Sequence, residues 1–122
     1  IFLDYLKWHD AYHSGKNYFL NQQRVQSLKE VISQRQIVAY GSGELFHRAL
    51  PFLGPEIKVS LLLDSDNLIS GTFKHGIPVK HPSELSPGEA HTVVIFSDCH
   101  GSEMQEYLSS LDILNPASIY RF

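Results

Sequence analysis

Residues 36–46 read Gln-Ile-Val-Ala-Tyr-Gly-Ser-Gly-Glu-Leu-Phe. Gln36 to Tyr40 is an apolar run without polar alternation, the pattern of a strand buried on both faces, and Gly41-Ser42-Gly43 ends it. A helical stretch from about Gly43 to Leu53 follows. Pro51 inside it removes a hydrogen bond and crowds the carbonyl of His47, which predicts a kink or an early stop ahead of Gly54-Pro55. A buried strand, a glycine turn and a helix in succession open an α/β fold.

The pattern repeats downstream. Lys58 to Leu63 reads as a second strand ending at Asp64, and a polar, glycine-containing linker runs from Ser65 to Gly76. Ile77-Pro78-Val79 is a short strand expected near an edge, because proline has no ladder donor. Ser83 is placed to cap a brief helical turn closed by Pro87-Gly88. Thr92 to Phe96 is the clearest buried strand, and Ser102 with Gln105 predicts a capping box for the helix carrying Met104, Tyr107, Leu108 and Leu111 on one face. Asn115-Pro116 breaks that helix, and Ser118 to Arg121 reads as a last strand. The expectation is a small three-layer α/β domain over residues 36–122, with a mostly parallel sheet of about five strands.

Residues 1–35 have a different texture and read as an N-terminal helical appendage of two helices. The first carries Phe2, Tyr5, Trp8 and Tyr12 at helical spacing; the second is capped by Asn21 and buries Val25, Leu28 and Ile32. The aromatic helix either covers its own domain or docks a neighbouring domain or a second subunit.

With 122 residues the chain fits one main domain, and 43% hydrophobic against 19% charged residues describes a globular protein. No apolar run approaches the roughly 20 residues of a bilayer span. The net charge is −3, with nine of the ten basic residues in positions 1–80 and no cationic stripe, so nucleic acid is a poor partner. The single Cys99 forms no internal disulfide, and no stretch resembles a signal peptide, which together point to the cytoplasm. A chain that starts at Ile1, with Met104 its only methionine, reads as processed, trimmed or a piece of a longer protein.

Three loops carry the candidate chemistry. In Gly41-Ser42-Gly43-Glu44 the first glycine permits a tight turn and the second lets the backbone approach a phosphate at the helix N-terminus. Asp64, 23 residues after Gly41 and followed by Asp66, stands where a carboxylate accepts ribose hydroxyls, and it disfavours a 2′-phosphate. An NAD-like or nucleoside-diphosphate ligand is therefore preferred over NADP. The third small residue of the dinucleotide fingerprint is replaced by Phe46, which is expected to tilt the helix or narrow the phosphate site. Glu44 suits the helix dipole but repels a pyrophosphate lying over that end. The third loop, Ser97-Asp98-Cys99-His100, follows the Thr92–Phe96 strand, and ligand contact suits it better than nucleophilic catalysis by Cys99. Of the seven histidines, His9 and His13 share a helix face at i, i+4, while His75, His81 and His91 are scattered through loops; all read as polar or packing residues. A fold that keeps its turn glycines for backbone reasons and binds nothing remains the competing reading.

The strings IVAYGSGELFHRAL, LLLDSDN, GTFKHGIPVKHPSEL, TVVIFSD and ILNPASIYRF together resemble a bacterial Rossmann-like module. That module is similar to the N-terminal nucleotide-sugar-binding domain of sugar acyltransferases that modify surface polysaccharides, and to accessory modules of FkbM-type methyltransferases and glycosyltransferases. The resemblance rests on Gly41 and Gly43, Asp64 and Asp66, Gly76 to Val79, Pro82 to Leu85 and Val93 to Phe96, and covers about residues 36–122. It implies an accessory, substrate-holding domain of a larger polysaccharide- or natural-product-modifying enzyme. An isolated enzyme fits least well: a methyltransferase glycine pattern wants glycine where Leu45 stands, and a dehydrogenase needs a substrate domain that this length does not hold.

Overall fold

A computed structural model describes residues 22–32, 35–86, 88, 92–112 and 118–122. Helix α1 covers residues 22–31. It is followed by β1 (Gln36–Tyr40), α2 (Glu44–Leu53), β2 (Lys58–Leu63), β3 (Phe73–Lys74), β4 (Ile77–Lys80), β5 (Val93–Ile95), α3 (Gly101–Ser110) and β6 (Ile119–Arg121), with short 3-10 turns at Gly54–Glu56 and Pro82–Glu84. The aromatic segment with Phe2, Tyr5, Trp8 and Tyr12, the His9/His13 pair, the Asn21 cap, His91 and the Asn115-Pro116 break lie outside the described residues.

The sheet has six strands in the order β3-β4-β2-β1-β5-β6. Every pairing is parallel except β3 with β4. From β1 the chain builds one half of the sheet through α2, β2 and β4. It then returns to the other side of β1 to lay down β5 and, through α3, β6. The order reverses between β1 and β5. The register of β1 on β2 slips between Ile37 and Val38, and Ser60, left over by the slip, donates its hydroxyl to the Ile37 carbonyl at 3.3 Å.

Strand alternation sorts the core into two clusters, because successive side chains point to opposite faces. Ile37, Ala39, Leu62, Val79 and Val94 pack with Val25, Leu28 and Ile32 of α1 and Phe46, Ala49 and Leu53 of α2. Val38, Tyr40, Leu61, Leu63, Val93 and Ile95 pack with Leu108 of α3 and with Leu85. The apolar face read for residues 25–32 is buried as expected, and it shares its core with β1 and α2 across the sequence boundary at residue 36.

Several local expectations are corrected. The described residues form six strands rather than about five, because the linker before Gly76 contains β3, which forms a hairpin with β4. His75 and Gly76 form its two-residue turn with φ of 54° and 76°, the doubly left-handed geometry that matches sheet twist. β4 is second from the edge of the sheet, near it as expected, with β3 as the edge strand outside it. Pro78 faces Phe73, and Val79 makes the bonds on either side, donating to Thr72 and accepting from Gly71. Pro51 does not break α2, which runs to Leu53 with the proline in its last turn. The Ser102–Gln105 capping box does not form. α3 begins two residues earlier than that box implies, with His100 at its cap position, and Ser102, already helical, accepts from the Arg121 guanidinium. At the Pro82–Glu84 turn the cap is the His81 ring, which accepts from the Ser83 amide at 3.1 Å, rather than Ser83.

Candidate functional site

Parallel strands bring their carboxyl ends to one edge, and the three loops singled out by sequence meet there. Gly41 follows β1 and its amide donates to Leu63 at the end of β2 (2.8 Å), while the amide of Phe96, after β5, donates to the Tyr40 carbonyl (2.8 Å). The glycine turn therefore lies between the Asp64 loop and the loop 97–100.

Gly41 and Gly43 turn out to do different things. Gly41 has φ of 103°, and a Cβ there would lie 2.6 Å from the Phe96 carbonyl oxygen and 3.4 Å from Met104 Cε. Its requirement for glycine arises from the crossing of the β5 backbone. Gly43 has an ordinary φ of −82°, and a Cβ on it would meet nothing within 4 Å. It stands at the cap position of α2 and offers the first-turn amides no side-chain acceptor.

Ser42 between them is buried and donates its hydroxyl to Asp64 Oδ2 in a short hydrogen bond. Asp64 Oδ1 accepts the Asp66 amide at 2.8 Å, and Asp66 Oδ1 accepts the Leu68 amide at 2.9 Å. Both Asp64 oxygens thus organise the turns around them, although each carboxylate oxygen keeps a further lone pair. Beneath this loop Tyr40 shares a hydrogen bond with Ser65 (2.9 Å). Burial pushes the Tyr40 phenol above its ordinary pKa, opposed by the Ser65 bond and reinforced by the Tyr107 and Asp64 charges.

Lys74, which the sequence reading passed over, reaches the same turn. Its Nζ donates to the Ser42 carbonyl at 2.6 Å and lies 3.4 Å from Ser42 Oγ. The signal was available only through the His75-Gly76 turn, which folds β3 back over the sheet edge. Glu44 is exposed and its carboxylate is drawn along α2 to Arg48 (3.0 Å).

The substitution of Phe46 for a small residue has a definite outcome. The ring is fully buried and meets Phe96 edge-on, with centroids 5.3 Å apart, and Phe96 in turn packs on Phe122 at 4.8 Å. It fills the space between α2 and the sheet. In the loop after β5, Ser97 Oγ accepts the His100 amide (3.0 Å), Asp98 pairs with Arg24 of α1 (3.3 Å) and His100 faces Glu103 (3.6 Å). Cys99 is exposed and free of any disulfide. A groove of about 450 Å³ opens between α1 and the C-terminal strand, lined by residues such as Arg24, Leu28, Val31 and Phe122, none of which belongs to the glycine turn.

Among the described residues no helix is long and apolar enough to cross a membrane. No protein family, curated protein or solved structure matches this chain.

Proposed function

We propose that residues 36–122 form a three-layer, Rossmann-like domain that binds a nucleotide or nucleotide-sugar and serves as the substrate-holding accessory part of a larger polysaccharide- or natural-product-modifying enzyme. The observation that carries this reading is the position of the glycine turn. It sits at the carboxyl end of β1, ahead of α2, where the strand order reverses towards β5. Open parallel sheets bind ligands in the crevice beside such a reversal. In this reading the uncapped amides from Glu44 onward and the Lys74 ammonium receive the phosphates, and the Gly43 side is open to their approach. Asp64 and Asp66 receive ribose hydroxyls, and Ser97, Asp98, Cys99 and His100 border the sugar or distal group. The interior of the cell, where nucleotide-sugars are made, is the compartment that suits it.

A specific observation favours a second reading. Gly41 is required by the Phe96 carbonyl whether or not anything binds, and Asp64 is already bonded to Ser42. Both features also suit a non-enzymatic scaffold that binds no nucleotide and works through its N-terminal segment on another domain or subunit.

A thermal-shift screen of the full chain against nucleotide-sugars, NAD, S-adenosylmethionine and coenzyme A separates the two. A ligand at 100 times its Kd stabilises by about 2.7 kcal/mol, which moves the midpoint by several degrees in a domain of this size. A shift confined to nucleotide-sugars or NAD is expected. No shift with any of them selects the scaffold.

A further inference from the structure

Beside the glycine turn, the fold brings two metal-ligating side chains together from distant parts of the chain. His47 lies on the exposed side of α2, and His75 is the first residue of the β3–β4 hairpin turn. His47 Nδ1 and His75 Nε2 are 3.4 Å apart, and the ring centres are 5.1 Å apart with 28° between planes.

These distances have a specific chemical meaning. Two Zn–N bonds of about 2.05 Å meeting at a tetrahedral angle place the nitrogens about 3.3 Å apart and the ring centres about 5.2 Å apart. The same contact meets hydrogen-bond geometry, so without an ion one imidazole nitrogen donates to the other.

The pair is held by contacts that need no ion. His75 takes φ of 54° from the hairpin turn, its neighbour Lys74 is tied to the Ser42 carbonyl at 2.6 Å, and its ring centre lies 6.1 Å from that of buried Phe46. Both imidazoles remain exposed, so water can reach the ion. Glu44, one turn before His47, is engaged by Arg48, and no group of three or more ligating side chains exists among the described residues.

We propose that His47 and His75 form a two-histidine site for a divalent transition-metal ion of the zinc class, with water completing the coordination, and that the ion clasps the β3–β4 hairpin to α2. Imidazole ligation selects Zn²⁺, Cu²⁺ and Ni²⁺ over Mg²⁺ and Ca²⁺. The site adjoins the glycine turn, since Lys74 beside His75 donates to the Ser42 carbonyl and the His47 amide donates to the Gly43 carbonyl; titration with Zn²⁺ alone reads it without a nucleotide.

The test is calorimetric titration of the full chain with Zn²⁺ alone. The variants are His47→Gln, which keeps a good helix former on an exposed face, and His75→Asn, which tolerates positive φ. A third variant, His9→Asn with His13→Asn, removes the other histidine pair of the sequence. The wild type is expected to bind Zn²⁺, with affinity reduced at least tenfold by either His47→Gln or His75→Asn and unchanged by the third variant. Absence of binding to the wild type, or wild-type affinity in either of the first two variants, overturns the proposal. Electron paramagnetic resonance of the His9→Asn, His13→Asn variant with one equivalent of Cu²⁺ gives an independent reading. Coupling to two imidazole nitrogens supports the site, and coupling to one or none contradicts it.

Discussion

Gly41 and Gly43 stand two positions apart in one motif, yet the structure asks different things of them. Gly41 combines a φ of 103° with a 2.6 Å approach of a hypothetical Cβ to the Phe96 carbonyl oxygen. Gly41→Ala is therefore expected to lower stability by roughly 2–4 kcal/mol in urea denaturation, from backbone strain plus a contact that backbone atoms cannot relieve. Gly43→Ala has room and an ordinary φ, so its cost should stay within about 1 kcal/mol, the scale of a changed cap residue. Equal costs at the two positions would contradict this division. Both glycines were legible in the sequence as a turn. Which of them serves the sheet was not, because that depends on how closely β5 crosses β1.

Tyr40 gives a pH signature at the same scale. Burial raises its folded-state pKa above the unfolded value. As pH rises past about 10, the unfolded chain releases this proton while the folded chain keeps it, so the contribution to stability is full below that pH and is lost above it. Spectrophotometric titration of the phenols should show a late-ionising group that disappears in Tyr40→Phe, whose stability should fall less steeply above pH 10. A titration unchanged by Tyr40→Phe would place the perturbed phenol elsewhere.

Among the elements, α2 carries the main departure from the dinucleotide fingerprint. Phe46 replaces the small residue that lets a helix approach its strand, and its ring is fully buried against Phe96. Removing it should leave a void: Phe46→Ala is expected to destabilise by about 3–5 kcal/mol, read from the denaturation midpoint at constant slope. A loss below about 1 kcal/mol would mean that the ring is not part of the core. The ends of β1 and β2 were legible to the residue because unbroken apolar runs meet glycine or aspartate there. β3 was not, since two residues carry no periodicity and the His75-Gly76 turn is an unusual form of the Asn-Gly signal. With β3 went Lys74 and the His47–His75 contact, both of which exist only because the hairpin folds back. The start of α3 lies two residues before the one expected, because Ser102 offers a good local cap, whereas its hydroxyl instead accepts from Arg121, nineteen residues on.

At the scale of the molecule, the six-stranded, mostly parallel sheet follows from strands that lack polar alternation and so need cover on both faces. The sequence made the α/β class and the edge of the sheet holding the candidate loops readable. It did not reveal that Asp64 is bonded to Ser42, since that contact spans 22 residues and depends on strand register. The proposed nucleotide site rests on a division of labour at the glycine turn: Gly41 closes the sheet and Gly43 leaves the α2 amides open. The most direct test is the binding of a nucleotide-sugar to the full chain, compared with Gly43→Ala, whose fold should persist. The account predicts that the wild type binds and that the added methyl weakens binding at least tenfold with little loss of stability. Equal affinity in the two proteins, or no nucleotide binding by the wild type, would contradict it.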